Sequence, residues 1–402
     1  MGTTQAARAV PEPRLFDALS LLAEVGDELV VRTVRDTHVA WLDRVHGTAR
    51  RVSGGAPGVG ERLHRGIAGG VYGGLGTGLQ IASRGLGVAA SRNRGPRLDA
   101  DPRGRFLRAA VNGLIGDRLQ AERPSLAIPM AVRRDHADVP LDRASLAATF
   151  PEATSRVVVL LHGLCESETA WSLGRERRGT TYPQALAEDG WTPVLLRANT
   201  GLPLRDNGTA LTGLLADLVA GWPVDVTRIA LVGHSLGGLV MRAAAAVAAA
   251  DDDDGAPRWT DLVTDVVTLG CPHLGSPVAS GVGRGSAALA LLPESAAFGR
   301  ILEWRSPGVR DLVEGLGEDL PPLGHARYRL VAATLTRSPR HPVGAFAGDL
   351  LVRLPSAYGR SGRRARRREL FPGADTLHVP AADHFALLNH PTVERALREW
   401  LA

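Results

Sequence analysis

One serine stands inside a glycine-flanked stretch, GHSLG at residues 233–237, where a histidine precedes Ser235 and a leucine follows it. A serine hydroxyl acts as a nucleophile when a base takes its proton, a carboxylate orients that base and hydrogen-bond donors stabilise the oxyanion. Glycines two positions before and two positions after the serine fit a sharp turn that has no room for side chains. The stretch therefore predicts nucleophilic catalysis by Ser235, and the alternative is a glycine-rich turn that holds a serine by chance.

The residues around this stretch predict a strand that ends at the turn and a helix that begins directly after it. Residues 228–232 contain an apolar run typical of a buried strand, and residues 239–250 are rich in alanine and other helix formers. The positive end of the helix dipole would then face the place where an oxyanion forms, with the N–H of Leu236 as one donor.

A second oxyanion donor is expected from the loop after an earlier apolar run, residues 157–161. That run leads directly into His162, Gly163 and Leu164. The N–H of Leu164 is the expected donor, and the N–H of Cys165 is the alternative. His162 is expected to have a structural role rather than to act as a base.

Short apolar runs alternate with helical patterns after about residue 125. The predicted strands are residues 157–161, 193–196, 229–232, 265–269, 329–333 and 376–379, with 127–132 and 144–150 as candidates for the opening strands. Continuous apolar strands that alternate with helices predict an α/β fold, in which helices cover a parallel sheet on both faces. Pro129 would confine the first opening strand to a sheet edge.

Three motifs, VVVLLHGL, VGHSLGGLVMR and LGCPHLGSPVA, together resemble the α/β-hydrolase superfamily, and within it the lipases and the inositol-deacylase-like acyl hydrolases. The third motif is similar to a G-T-P-H-x-G-S stretch of those families, with Cys271 in place of the usual threonine. The resemblance covers residues 156–402 and implies the α/β-hydrolase fold. It also implies a catalytic triad in the chain order serine, acid, histidine.

The resemblance further indicates which residues are the base and the acid of this triad. The segment HFALLNHP is similar to a lipase-like pattern and implies that His384 is the base, whereas His390 is expected to be a cap or packing residue. The segment GDLLVRLPSA resembles the lipase pattern D-G-x-V-x-x-x-S-A and implies that Asp349 is the acid, with Leu350 in place of the glycine. Asp375 is the alternative acid.

Residues 1–120 are predicted to form an N-terminal helical, glycine-rich extension, and residues 121–402 the hydrolase domain. Apolar residues at helical spacing predict a helix within residues 15–45. The many glycines of residues 66–87 predict a tight helical hairpin or a mobile segment, with a membrane-contacting segment as the alternative. Residues 276–322 are a candidate lid over an acyl pocket, with an ordinary pair of core helices as the alternative.

The composition is that of an ordinary globular protein, with 44% apolar residues, 22% charged residues and a formal net charge of +5. A charge this small for 402 residues does not imply a nucleic-acid partner. Two cysteines are too few for a disulfide framework; free thiols are expected, with a single bridge as the alternative. The N-terminal stretch lacks the continuous apolar segment of a signal peptide, which predicts a cytoplasmic protein. The N-terminal region and the run Arg360–Arg368 are candidates for peripheral membrane contact.

The sequence therefore predicts a serine hydrolase that cleaves carboxylic esters through an acyl-enzyme, with lipid-like esters as the expected substrates. This chemistry needs no metal and no cofactor. A hydrolase or thioesterase for small soluble substrates is one alternative. A non-catalytic scaffold that binds a partner or a membrane is another, and a fluorophosphonate probe that labels Ser235 would exclude it.

Overall fold

The computed structural model describes residues 13–25, 59–92, 94–250, 258–276, 306–316, 320–361 and 368–402. Contacts between these residues divide them into two compact units. The first unit contains the described residues up to Arg108, together with residues 120–126. The second unit contains residues 109–119 and the described residues from Ala127 onwards.

The first unit is helical, with α1 (Leu15–Val25), α2 (Val59–Ser91) and both ends of α3 (Pro102–Glu122). Helix α2 is one continuous helix of 33 residues, so the predicted helical hairpin is wrong. Helices α1 and α2 approach closely at small residues, where the Ser20 hydroxyl donates a hydrogen bond to the Ser83 carbonyl at 2.8 Å. The remainder of the helix predicted within residues 15–45 lies outside the described residues.

The strands of the second unit are β1 (Ala131–Arg134), β2 (Ala137–Asp138), β3 (Arg156–Leu161), β4 (Thr192–Arg197), β5 (Arg228–His234), β6 (Val263–Leu269), β7 (Arg327–Thr334), β8 (Arg360–Ser361), β9 (Arg368–Glu369) and β10 (Asp375–Pro380). Eight of them form one sheet in the order β10-β7-β6-β5-β3-β4-β1-β2, and β8 and β9 form a separate antiparallel pair. Strands β3 to β7 and β10 are mutually parallel, whereas β1 pairs antiparallel with both β2 and β4. Each of the six predicted strands after residue 156 lies within one of these strands and is confirmed.

The helices of the second unit cover both faces of this sheet. They are α4 (Arg143–Thr149), α5 (Arg175–Arg178), α6 (Tyr182–Glu188), α7 (Leu204–Gly221), α8 (Leu236–Ala250), α9 (Pro307–Glu314), α10 (Pro342–Ala347), α11 (Leu354–Ala357) and α12 (Pro391–Leu401). Successive side chains of β3 explain the two-sided burial, because Val157 and Val159 pack in the cluster with α7 and α8. Val158 and Leu160 pack in the cluster with α6 and α12 on the other face.

One of the two predicted opening strands is wrong. Residues 144–150 fall almost entirely within helix α4, because the Asp142 side chain caps the helix by accepting a hydrogen bond from the Ser145 N–H at 3.0 Å. Of the other candidate, residues 127–132, only the last two belong to β1, which begins two residues after Pro129.

The predicted lid, residues 276–322, lies mostly outside the described residues. Its described part includes helix α9, whose first turn is capped by the Ser306 side chain. The arginine-rich run also lies mostly outside them, and its two ends form the β8–β9 pair. In the described part of the chain, no helix combines the length and the apolar character needed to cross a membrane.

Candidate active site

Ser235 lies in the turn between β5 and α8 and has a positive φ of 51°, an uncommon conformation for a residue with a side chain. Other backbone atoms approach positions 233 and 237 so closely that only glycine fits there. A Cβ atom on Gly237 would lie 2.3 Å from the Leu161 carbonyl oxygen. A Cβ atom on Gly233 would lie 2.6 Å from the Gly238 nitrogen. The glycines thus permit the turn that holds Ser235 at the end of a central strand.

Asp349 and His384 form a hydrogen-bonded pair. The His384 Nδ1 atom lies 2.8 Å from Asp349 Oδ2, and the His384 main-chain N–H donates to the Asp349 carbonyl at 3.0 Å. The other carboxylate oxygen accepts hydrogen bonds from the N–H groups of Leu351 at 3.0 Å and Val352 at 2.7 Å. Because both carboxylate oxygens are engaged, the Asp349 side chain is a fixed acceptor for Nδ1. The other ring nitrogen, Nε2, is then the one that can exchange a proton.

Ser235 and His384 approach the same turn at the end of β6. The Ser235 N–H donates to the Leu269 carbonyl at 2.8 Å. The next residue, Gly270, has a φ of 58° and lies against His384, because a Cβ atom there would be 3.1 Å from the ring. The structure therefore brings together the three residues expected for a triad: Ser235 and His384 at this turn, and Asp349 behind the histidine.

The alternative acid, Asp375, lies far from this arrangement along its strand. It is the first residue of β10, its side chain is 66% exposed, and its nearest charged partner is Arg329 at 3.8 Å. His390 caps helix α12, where its Nδ1 atom accepts a hydrogen bond from the Thr392 N–H at 3.2 Å. Neither residue takes part in the pair formed by Asp349 and His384.

The two expected oxyanion donors lie on the loops that meet at Ser235. Leu236 is the first residue of α8, and its N–H donates to no acceptor in the described part of the chain; the same holds for Leu164. The loop of Leu164 lies against the nucleophile, since a Cβ atom on Gly163 would be 3.0 Å from the Ser235 Cβ. The N–H of Cys165, the alternative donor, is engaged by the Thr200 hydroxyl at 3.1 Å.

His162 supports the loop that carries Leu164. Its Nε2 atom accepts a hydrogen bond from the Ala198 N–H at 3.2 Å, which leaves Nδ1 to donate to the Gly163 carbonyl at 2.9 Å. Burial lowers the pKa of His162 and so favours the neutral ring that this pattern requires. These contacts are those of a structural residue.

Sequence reasoning missed a second histidine–carboxylate pair beside the nucleophile. Glu166 Oε2 accepts hydrogen bonds from the Gly163 N–H at 2.7 Å and from His234 Nδ1 at 3.1 Å. The other ring nitrogen of His234 lies 3.3 Å from the His384 carbonyl oxygen. A glutamate in the loop after a buried strand was the available signal, but nothing in the sequence pairs it with a residue 68 positions away.

Residues 109–119 of helix α3 also belong to the surroundings of the site, although the sequence provides no chemical motif there. A Cβ atom on Gly113 would lie 2.3 Å from the Cys165 Sγ, and one on Gly116 would lie 1.8 Å from the Asn199 Oδ1. The Asn199 side chain donates to the Gly116 carbonyl at 3.0 Å. Two glycines three positions apart in a helix were the only signal of this close approach.

The two cysteines are free thiols, as expected. Burial raises the pKa of Cys165 to about 11 and raises the pKa of Cys271 further, so neither is a thiolate nucleophile at neutral pH. Within the described ranges, no three side chains of histidine, cysteine, aspartate or glutamate are grouped so that they could hold a metal ion.

Comparison with known proteins assigns this chain to a family. The model of the alpha/beta hydrolase family matches residues 158–396. No match was found among curated proteins. The structure is similar to the mature form of Bacillus licheniformis lipase BlEst2, with 19% identity and a TM-score of 0.43 over 61% of this chain and 92% of that chain. It is also similar to carboxylesterase CesB from Bacillus subtilis, with 14% identity and a TM-score of 0.33 over 61% of this chain and 84% of that chain. Because the family model spans more than half of its 402 residues, the chain belongs to the alpha/beta hydrolase family.

Proposed function

We propose that this protein is a carboxylic ester hydrolase that works through an acyl-enzyme. The observation that carries the proposal is the 2.8 Å bond between Asp349 and His384 beside a serine held at a φ of 51°. A buried acid hydrogen-bonded to an imidazole, and a serine held at a strand-to-helix turn, are the parts that acyl transfer needs.

In the first half of the reaction, the Ser235 oxygen attacks the ester carbonyl carbon while His384 Nε2 takes the hydroxyl proton. The N–H groups of Leu164 and Leu236 bind the oxyanion, and the dipole of α8 adds positive potential there. The tetrahedral species then collapses, the bond to the alkoxy group breaks, and His384 gives its proton to the leaving oxygen.

In the second half, His384 removes a proton from a water molecule, which attacks the acyl carbon. The bond between the acyl carbon and the Ser235 oxygen then breaks, His384 returns the proton to that oxygen, and the acid is released. Asp349 keeps the imidazole in the tautomer that carries its hydrogen on Nδ1, and its charge stabilises the imidazolium formed in each half-reaction. No metal or cofactor takes part in these steps.

The proposed substrates are lipid-like esters, since the motifs around Ser235, Asp349 and His384 resemble those of lipases. The test is the hydrolysis of p-nitrophenyl esters with acyl chains of increasing length. Catalytic efficiency that rises with chain length supports lipid-like esters. Efficiency that is highest for acetate, or for thioesters, supports the alternative hydrolase or thioesterase for small soluble substrates.

Helix α2 supports a further part of the proposal, peripheral contact with a membrane. Four large apolar side chains of this helix, Val71, Leu75, Ile81 and Val88, are 51% to 63% exposed. Residues 66–83 carry no charge and the exposed Arg84 follows them, so the apolar residues can enter a lipid surface beside a cation that binds anionic headgroups. Vesicles of phosphatidylglycerol should sediment the protein, whereas Ile81→Gln with Leu75→Gln should reduce sedimentation and leave hydrolysis of short esters unchanged.

Labelling with a fluorophosphonate probe tests the proposed reaction directly. The wild-type protein should be labelled on Ser235, and the Asp349→Asn variant should be labelled far more slowly. A folded wild-type protein without label on Ser235 would favour the non-catalytic scaffold.

A further inference from the structure

Glu166 and His234 connect the three loops that carry the expected oxyanion donor, nucleophile and base. Glu166 is bonded through one oxygen to the N–H of Gly163, one residue before Leu164. His234 directly precedes Ser235 and reaches Glu166 on one side and the His384 carbonyl on the other. The pair is buried, with 0% of the His234 side chain and 11% of the Glu166 side chain exposed.

The contacts of His234 require its ring to donate at both nitrogens. Nδ1 faces a carboxylate oxygen at 3.1 Å and Nε2 faces a carbonyl oxygen at 3.3 Å, and both are acceptors only. An imidazolium ring satisfies both contacts, whereas a neutral ring leaves one nitrogen opposite an acceptor with no hydrogen between them. The geometry therefore indicates an ion pair of protonated His234 and ionised Glu166.

The electrostatic surroundings agree with this state. Burial lowers the pKa of His234, but the charge and hydrogen bond of Glu166, together with the His384 carbonyl and the charge of Asp349, outweigh burial and leave the pKa above its usual range. Burial raises the pKa of Glu166, but the charge and hydrogen bond of His234, together with the hydrogen bond from the Gly163 N–H, outweigh burial and leave the pKa below its usual range. Two further titratable groups beside Glu166, His162 and Cys165, are neutral at pH 7 because burial disfavours their charged forms.

In the described part of the chain, the remaining titratable groups that face His234 belong to the Asp349–His384 pair. The His384 ring lies 4.8 Å from the His234 ring, and the charge of Asp349 contributes to the raised pKa of His234. The uncharged Phe385 ring lies 6.4 Å away.

We infer that Glu166 and His234 are positioning residues, whose ion pair holds the Leu164 loop and the His384 main chain in fixed positions relative to Ser235. This role rests on the ester hydrolysis proposed above. Neither side chain needs to touch the substrate, because Glu166 acts through the loop that supplies the Leu164 N–H and His234 acts through the backbone of the base. The pair thus fixes the relative positions of donor, nucleophile and base before the substrate binds.

The test compares Glu166→Gln, His234→Asn and the double variant with wild type on one p-nitrophenyl ester. Loss of a complete oxyanion donor costs roughly 100- to 1,000-fold in kcat, so a displaced donor should cost about 10- to 100-fold, with KM changed by less than about threefold. The double variant should be no worse than the more damaged single variant, since both changes break the same contact.

Glu168→Gln is the matched control. Glu168 is as buried as Glu166, lies two positions further along the chain and pairs with Arg133 at 3.2 Å instead of with a histidine. The same substitution there should lower the thermal unfolding temperature but change kcat by less than about threefold. A similar loss of kcat in Glu166→Gln and Glu168→Gln would reduce the role of the pair to general stability and overturn the inference.

The pH profile distinguishes positioning from stability. A raised folded-state pKa means that the contacts of protonated His234 are present at low pH and are lost as the pH rises through that value. Without the Glu166 carboxylate, its charge no longer opposes the lowering of the His234 pKa by burial, so the alkaline fall of kcat should move to lower pH in Glu166→Gln. Glu168→Gln should keep the wild-type profile, and an unmoved profile in Glu166→Gln would contradict the inference.

A titration of the histidine side chains by ¹⁵N NMR, with His234 assigned from the His234→Asn spectrum, gives a readout that does not depend on activity. His234 should be protonated at pH 7 in wild type and neutral in Glu166→Gln. If wild type labels on Ser235 and hydrolyses esters but His234 is neutral at pH 7, the inference fails and the proposed function stands. If wild type is neither labelled nor active, the proposed function fails and the positioning role fails with it, whatever the titration shows.

Discussion

Two buried histidine–carboxylate pairs flank Ser235, and they differ in what the second nitrogen of the ring meets. In the pair of His384 with Asp349, the carboxylate engages Nδ1, and in the proposed reaction the other nitrogen exchanges a proton with the substrate. In the pair of His234 with Glu166, the carboxylate also engages Nδ1, but the other nitrogen faces a main-chain carbonyl. The same two chemical groups therefore suit a base in one loop and a fixed ion pair in the other.

The two carboxylates also differ in the groups that they bind. Asp349 accepts hydrogen bonds from the N–H groups of its own turn, so its loop fixes the carboxylate and the carboxylate fixes the ring. Glu166 bridges its own loop and a residue on a neighbouring strand through one oxygen. We therefore propose that the environment of the second ring nitrogen, rather than the presence of a carboxylate, distinguishes the base from the positioning residue in this protein.

The largest effect should come from removing the Ser235 hydroxyl, which the pair of His384 and Asp349 is proposed to activate. Ser235→Ala should reduce ester hydrolysis by about 10⁴-fold or more and leave the fold intact, because no nucleophile remains for His384 to deprotonate. Steady-state kinetics and thermal unfolding measure the two effects. Ser91→Ala, at an exposed site in α2, is the control, and an active Ser235→Ala variant would remove the basis for the whole comparison.

Asp349→Asn should have the next largest effect and sharpen the contrast between the two carboxylates. The amide favours the wrong imidazole tautomer, and kcat should fall by roughly 100- to 10,000-fold, more than in Glu166→Gln. Asp375→Asn, at the opposite end of β10, should remain near wild type. A larger loss in Asp375→Asn than in Asp349→Asn would assign the acid to Asp375.

Gly113→Ala tests whether the Leu164 loop depends on its packing against helix α3. The added methyl group would meet Cys165, so the loop must shift, with a loss of about 1–3 kcal/mol in the free energy of unfolding and about tenfold in kcat. Gly213→Ala is the control in helix α7, where the methyl group meets nothing within 4 Å, and it should stabilise the protein by about 0.5–1 kcal/mol. Equal kinetics for the two variants would show that the loop keeps its position without this contact.

The smallest effect is expected at Leu350, which stands in the acid turn where the lipase-like pattern has glycine. Its φ of 88° is unfavourable for leucine, so Leu350→Gly should raise the free energy of unfolding by about 1 kcal/mol and leave kcat near wild type. Leu351→Gly is the control, because this neighbour is not among the residues with positive φ and should be destabilised. Chemical denaturation of both variants measures the difference, and a destabilised Leu350→Gly would mean that packing of the leucine outweighs the strain.

The sequence predicted the features that depend on neighbouring residues. The glycines two positions either side of Ser235 form a local sequence pattern, and contacts shorter than 3 Å leave no room for side chains at either position. The apolar runs that become β3, β5, β6 and β7 are buried on both faces. Local patterns were less informative for two of the helices. Asp142 caps α4 where a strand was predicted, and α2 is one long helix where the glycines suggested a hairpin.

The tertiary structure alone decided which histidine meets which carboxylate. The partners in the two pairs are 35 and 68 residues apart, and they meet because parallel strands bring their carboxyl ends to the same edge of the sheet. Glu166 follows β3 and His234 ends β5, and these strands are neighbours in the sheet although β4 lies between them in the chain. No local pattern encodes that adjacency, because it arises from the burial of whole strands and helices in one core.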